Sequence, residues 1–328
     1  QIILLYHRIA SLEEGIDTQL DAEMERLLET HSGAFSVLLE QAIKVSTMPS
    51  HLHYLAGKVA IERCEPEHVR RHLEGMEDSV ESRHLALGLA MLEGRIQDAD
   101  EIIEEGLDSS DQADINRMAL AAASRRMDDR VFDHVDPSLS TDVKQYLAKV
   151  KVPEGHPEQR SVTLVALSMI QHALALCEDD FERAERLRAS LAGIAGFAQP
   201  LLLGMEAKAA LFATKPSDAT SLDTERMQEA IEAQTNSIRA DALRLSLVEQ
   251  LIGLDDIKAK QMFNLIKEPT QTATSATLHR LHARWCTCQA KLQPNMRRTA
   301  LREALTQHRA AGCPRAAKAL EAHLHSLL

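Results

Sequence analysis

Between His84 and Ser109 the chain reads HLALGLAMLEGRIQDADEIIEEGLDS, two helix-length apolar patterns on either side of one glycine. Leu85, Leu87, Gly88, Met91 and Leu92 mark the first pattern, and Gly94 breaks it. Ile96, Ala99, Ile103 and Leu107 then recur at the spacing of one helix face. A single hairpin of this kind cannot bury its apolar side, so it needs others stacked beside it. Stacked hairpins offer a binding surface rather than a reaction centre.

The rest of the chain has the same character. Leu and Ala recur at helical spacing throughout its 328 residues, and aromatic residues make up only 3%. So few turn-formers and so few aromatic or β-branched runs argue against a sandwich or barrel, and the abundant Ala, Leu, Glu, Arg and Gln enter helices at least cost. The expected fold is all-α. Five scattered cysteines (Cys64, Cys177, Cys286, Cys288, Cys313) do not form a secreted disulfide framework, which points to a reducing, cytoplasmic setting. No run reaches the ~20 apolar residues of a membrane span. The first residue is Gln, so the chain reads as a processed product or a piece of a larger protein, with QIILL as an ordinary first helical turn.

Helical periodicity places Leu20, Met24, Leu27 and Leu28 on one face, then Phe35, Leu38, Leu39, Ala42 and Ile43, then Leu52, Leu55, Ala56, Val59 and Ala60. Pro66 suits the first turn of the next helix. Asp111 or Ser110, and later Asp179 or Asp180, suit N-caps. Short helices are expected near Val131 and over Thr141 to Val150. KVPEGHPEQ (Lys151 to Gln159) is the clearest break, giving an acidic helical-repeat half over 1–150, a hinge over 151–160 and a second half over 161–328. In that second half, helices are expected over Ser161–Cys177, Pro200–Phe212, Thr224–Gln234, Ile238–Ile252, Asp256–Ile266, Thr274–Ala290, Met296–Arg309 and from Pro314 onward, with a loop over Lys215–Asp223.

An apolar residue followed three positions later by Ala recurs near the start of a second helix: Ile96–Ala99, Phe181–Ala184 and Met227–Ala230. Together with Leu87, Gly88 and the turn glycine Gly94, this resembles the tetratricopeptide (TPR) repeat family. The turn is one residue shorter than that family's, Met91 stands where a tyrosine is usual, and the closing proline is missing. The resemblance implies helix pairs stacked as an α-solenoid with a concave peptide-binding groove. Degenerate solenoids of this sort also form the sensor regions of some bacterial transcription regulators.

Several constellations reduce to bland readings. His68 and His72 (HVRRH) share a helix face, but Val69 stands where a metalloprotease needs Glu, so they read as exposed histidines. His279, His282 and Cys286 read as the border of a buried stripe formed by Leu278, Leu281, Trp285 and Cys288. Glu104–Glu105 and Asp128–Asp129 point to different faces and read as solvated surface. Nucleophile elbows, phosphate-cradling loops and dinucleotide fingerprints are absent from the sequence. No catalytic residue, cofactor or metal is expected.

Charge is the remaining signal. Residues 1–150 hold 15 Lys+Arg and 29 Asp+Glu, a net −14, whereas the remainder nets +2. From Arg280 to Lys318 nine basic residues face Glu303 alone. The cluster suits an acidic protein, a nucleic acid, the chain's own acidic half, or the polar outer face of an end cap. Trp285 is the one aromatic residue there, so base stacking is unsupported and nucleic acid is disfavoured. The leading expectation is a non-enzymatic scaffold for a protein or peptide, with Arg280, Arg284, Arg297, Arg298 and Arg302 as partner-binding residues. A homodimer between acidic and basic halves, and a ligand-sensing regulatory domain, are the alternatives. An enclosed apolar pocket favours the sensor, and an open groove the scaffold.

Overall fold

The computed structural model describes residues 34–44, 49–128, 137–154, 157–192, 205, 221–234, 237–269 and 275–327. Every regular element among them is helical. In order they are α1 (34–44), α2 (Pro49–Glu62), α3 (Pro66–Glu74), α4 (Val80–Glu93) and α5 (Ile96–Leu107). Then come α6 (Gln112–Asp128), α7 (Pro137–Leu147), α8 (Pro157–Cys177), α9 (Phe181–Ala192) and α10 (Ser221–Glu232). The last five are α11 (Ser237–Leu251), α12 (Asp256–Phe263), α13 (Ala276–Leu292), α14 (Arg297–Ala310) and α15 (Pro314–Ser326). A 3-10 turn, Pro294–Met296, joins α13 to α14. The all-α expectation is met among the described residues.

Four hairpins close through one turn. Cys64, Gly94, Asp179 and Gly312 each adopt a left-handed backbone, with φ of 57°, 69°, 56° and 67°. The N–H of the next residue reaches back five positions at 2.9 Å in every case: Glu65 to Ala60, Arg95 to Ala90, Asp180 to Ala175 and Cys313 to His308. This bond satisfies a carbonyl that the ending helix leaves open. Five positions after each left-handed residue stands a buried small or β-branched side chain: Val69, Ala99, Ala184 or Ala317. At Gly94 and Asp179 alanines stand on both sides of the turn (Ala90 and Ala99, Ala175 and Ala184), which lets the two helices of those hairpins approach closely.

Hairpins pack on hairpins. Besides touching its own partner, α2 contacts α4, α4 contacts α6, and α6 contacts α8. The apolar faces meet in successive clusters: Leu52, Leu55, Val59 and Leu85; then Leu87, Ala99, Ile103 and Met118; then Met127, Val143 and Leu174. Each fully buried Leu or Met contributes ~1.5–3 kcal/mol. Toward the C-terminus α10 to α13 enclose Met227, Leu245, Leu247, Val248 and Trp285, whose indole stacks on Phe263 at 5.0 Å between centroids.

The last third of the described chain packs back on the first. Helix α13 touches α4, and Ile238 and Leu278 pack on the first cluster. Arg239 pairs with Glu62 at 2.7 Å, and Arg315 with Asp142 at 2.8 Å. Arg315, in the basic end, therefore pairs with a carboxylate of the acidic half. No described helix is long and apolar enough to cross a membrane.

Local expectations fare unevenly. Pro66 opens α3, Asp111 and Asp180 accept first-turn N–H bonds, and Ser79 forms a capping box with Ser82 that sequence alone did not reveal. The helix expected from Thr141 begins earlier, at Pro137, and ends at Leu147. Met227 lies in the middle of α10 rather than near a helix start. In the break after α7, the Asn116 amide accepts from the Lys151 N–H at 2.8 Å and donates to the Lys151 carbonyl at 2.6 Å, which holds the segment against α6. His72 is buried, not exposed: its Nδ1 lies 3.2 Å from His53 Nδ1. The helix face at 20–28, the short helix near Val131 and, apart from Met205, the helix over 200–212 lie outside the described residues, as does the loop over 215–223 up to residue 220; its last three residues are instead the start of α10, which begins at Ser221.

Candidate functional site

The five arginines expected to bind a partner divide into three environments. Arg297, Arg298 and Arg302 are solvent-exposed on α14, and Arg297 Nη2 sits 3.5 Å from His323 Nε2. Arg284 is committed inward. Its Nε and Nη2 donate to the Glu249 carboxylate at 2.9 and 2.8 Å, and Nη2 also reaches Ser246 Oγ at 3.0 Å. That fork-on-fork pair joins α13 to α11. Arg280, one turn earlier on α13, donates to Thr277 Oγ1 at 3.0 Å and lines a cleft.

The cleft, of about 230 Å³, lies where the α4–α5 turn meets the α14–α15 turn. Its apolar wall consists of Ala90, Met91, Ile96, Ala99 and Cys313. Gly94 and Gly312 form its narrow side; a Cβ on Gly312 would stand 3.5 Å from the Gly94 carbonyl oxygen. Arg125 and Arg126, from the end of α6, line it with Arg280, and Asp100 is the one carboxylate residue among the described lining residues. Asp100 pairs with Arg125. The first residues of α5 and α15, Ile96 and Pro314, also border the cleft, and neither helix has a side-chain N-cap. Uncapped first-turn N–H groups add partial positive charge.

Nearby ionisable groups are held neutral. Burial, reinforced by the Arg280 charge, pushes His308 down to about 4. Burial likewise lowers His84 to about 3, and its Nδ1 lies 2.8 Å from the Tyr54 hydroxyl. Burial raises the Cys64 thiol and pushes Cys286 up to about 12, leaving both protonated and poorly nucleophilic at neutral pH. His282 and Cys286 are buried beside Trp285 rather than at the border of the stripe, whereas His279 is half-buried with Nδ1 2.6 Å from Gln307 Oε1. Among the described residues no three His, Cys, Asp or Glu side chains converge into a metal-holding group.

Sequence reasoning picked out Arg280 but missed Arg125, Arg126 and Asp100, because they come from a helix pair more than 150 positions upstream. Only the packing of α4–α6 against α13–α15 brings them together. Compared with models of known protein families, with curated proteins and with solved structures, the chain matches none.

Proposed function

We propose that this chain is a non-enzymatic binding module, a TPR-like stack of helical hairpins that holds a protein or peptide partner. The repeated turn at Cys64, Gly94, Asp179 and Gly312 carries this reading, together with the sequential contacts among α2, α4, α6 and α8. Repeated hairpins stacked in order build an extended surface whose side chains are free to vary with the partner. The exposed arginines of α14 favour an acidic partner, since guanidinium groups recognise carboxylates through two parallel hydrogen bonds. A cytoplasmic module within a larger protein fits the reduced cysteines.

The test is an array of acidic and basic peptides probed with the wild-type chain and with Arg297→Glu/Arg298→Glu/Arg302→Glu. The reading expects binding biased to acidic peptides and lost on charge reversal, at unchanged helicity. Equal binding by both proteins removes α14 from the interface.

A second reading, a ligand-sensing regulatory domain, is favoured by the cleft between the two turns. At about 230 Å³ it is below the ~300 Å³ at which drug-sized pockets begin, so a sensor built on it takes a small ligand.

A further inference from the structure

Two exposed helix ends carry charge of the wrong sign for their own helices. On α5, Ala99, Ile103 and Gly106 are buried, and Glu101, Glu104, Glu105 and Asp108 are exposed on the opposite side. Each of the four has two like-charged neighbours at a spacing of three or four residues, which weakens a helix. Glu104, Glu105 and Asp108 stand at the C-terminal end, where the helix dipole favours cations, and the last turn of α5 holds no basic residue. Helices α3, α6 and α14 follow the usual rule, with Arg71 and His72, Arg125 and Arg126, and His308 and Arg309 in their last turns. The start of α14 is reversed in the opposite sense. Arg297 and Arg298 open a first turn that has no acidic residue and no side-chain cap, and Arg302 follows Arg298 by about one turn. Neither the four carboxylates of α5 nor Arg298 and Arg302 make an ion pair among the described residues.

We propose that α5 of one copy of this chain lies antiparallel along α14 of a second copy. Glu101 and Glu105 are four residues apart, as are Arg298 and Arg302. At 1.5 Å per residue both pairs span ~6 Å of helix axis. In antiparallel order Glu101 stands opposite the partner's Arg302, and Glu105 opposite the partner's Arg298. The same register brings the Asp108 end of α5 to the start of the partner's α14, where Arg297 stands. Each uncompensated helix end then receives the charge its dipole favours. Parallel order matches the same pairs but leaves those two ends apart. Guanidinium forks grip carboxylates through two parallel hydrogen bonds, so the contact is specific as well as attractive. A second copy is the occupant because one chain supplies both faces, with the same spacing and opposite sign. The inference deepens the reading of α14 as a face for acidic partners and rests on it; what it adds is the partner's identity and the role of α5. A contact between unlike faces closes into a dimer or runs on from copy to copy, according to the angle between them.

Sedimentation velocity of the whole chain, from low to high micromolar concentration, tests it at low and at high salt. Wild type is expected to self-associate at low salt and to come apart at high salt, because exposed charges are screened. Glu101→Lys/Glu105→Lys and Arg298→Glu/Arg302→Glu are each expected to weaken association about tenfold or more at unchanged circular dichroism. An equimolar mixture of the two variants should recover it, since each then meets an opposite face. The chain carrying all four changes should recover as well, to within about threefold of wild type. A wild type that stays monomeric at every concentration overturns the proposal, and it does so even if a variant fails to fold. Association that ignores salt, survives either double variant, or stays lost in the mixture overturns it too. The peptide array separates this inference from the reading beneath it. Monomers that still capture acidic peptides through α14 sink the inference alone. Copies that associate through these faces yet capture no acidic peptide sink the peptide scaffold alone.

Discussion

Gly94 and Gly312 sit turn against turn: a Cβ on Gly94 would lie 2.8 Å from the carbonyl oxygen of Ala310, and one on Gly312 would fall 2.4 Å from Ile96 Cδ1. Both residues also need a left-handed backbone, so two constraints coincide where the α4–α5 turn meets the α14–α15 turn. The cleft exists because these two turns come this close without side chains between them.

Gly253 separates the two constraints. Its φ is +85°, yet an added Cβ would meet nothing within 4 Å. Gly253→Ala should cost only the backbone strain, about 1 kcal/mol. Gly94→Ala adds a collision with backbone, which cannot swing away, and should cost roughly 2–4 kcal/mol. Gly312→Ala should fall between them, because Ile96 is a flexible side chain. Urea midpoints of the three variants check this order; Gly94→Ala behaving like Gly253→Ala would mean the turns are not in contact.

Asn116 should act as a clamp. Buried, it serves both the N–H and the carbonyl of Lys151, and its Oδ1 also accepts from Gln112 at 3.0 Å. Asn116→Ala strands those groups and should cost about 1–3 kcal/mol. Hydrogen exchange locates the effect: the Lys151 amide should lose protection before the amides of α6. Asn116→Asp keeps the acceptor and loses the donor, so it should fall between wild type and Ala.

Much of the helical layout was legible in the sequence, and the repeat was half legible. The second half of the turn unit, an apolar residue followed by a small one at Ile96–Ala99 and Phe181–Ala184, is visible in the residue types. The first half was legible only where the turn residue is glycine, as at Gly94. Ala60, Ala90, Ala175 and His308 supply equivalent carbonyls, but Cys64 and Asp179 stand at the left-handed position in two of the four turns and carry no turn signature. His72 shows a different limit. Its spacing from His68 is that of a shared helix face, and the neighbour that buries it, His53, lies on α2. Arg284 looked like one cation in a basic cluster, and only the arrangement of α11 against α13 reveals Glu249 as its partner. Burial and pairing set by distant elements leave no local trace.

Acid should destabilise the fold earlier than its carboxylates alone would. Burial lowers His72 and His308 to about 4 and His84 to about 3, whereas an unfolded histidine titrates near 6.5. Below pH ~6.5 the unfolded chain takes up protons that the folded chain refuses, so stability is full above that pH and falls as acid is added. Each such histidine contributes a slope of up to about 1.4 kcal/mol per pH unit, down to its folded value. Most carboxylates titrate lower, so Tm between pH 6.5 and 5 isolates the effect. A flat Tm over that interval contradicts buried neutral histidines. His84→Gln should reduce the slope.

The Arg284–Glu249 pair gives the sharpest internal test, because its two halves predict opposite results from similar substitutions. Both side chains are 16% exposed, so removing one partner leaves a charge largely shielded from water. Arg284→Met should therefore cost ~3–5 kcal/mol. Removing both charges strands neither, and Arg284→Met/Glu249→Met should recover to within about 1 kcal/mol of wild type. A double-mutant cycle by urea unfolding measures that coupling. It also bears on function: a guanidinium spent on Glu249 has nothing left for a partner, so the double variant should bind acidic peptides as well as wild type does. If Arg284→Met proved stable and the double variant lost binding, Arg284 would belong to the exposed surface with Arg297, Arg298 and Arg302, and the packing of α11 on α13 would have to differ.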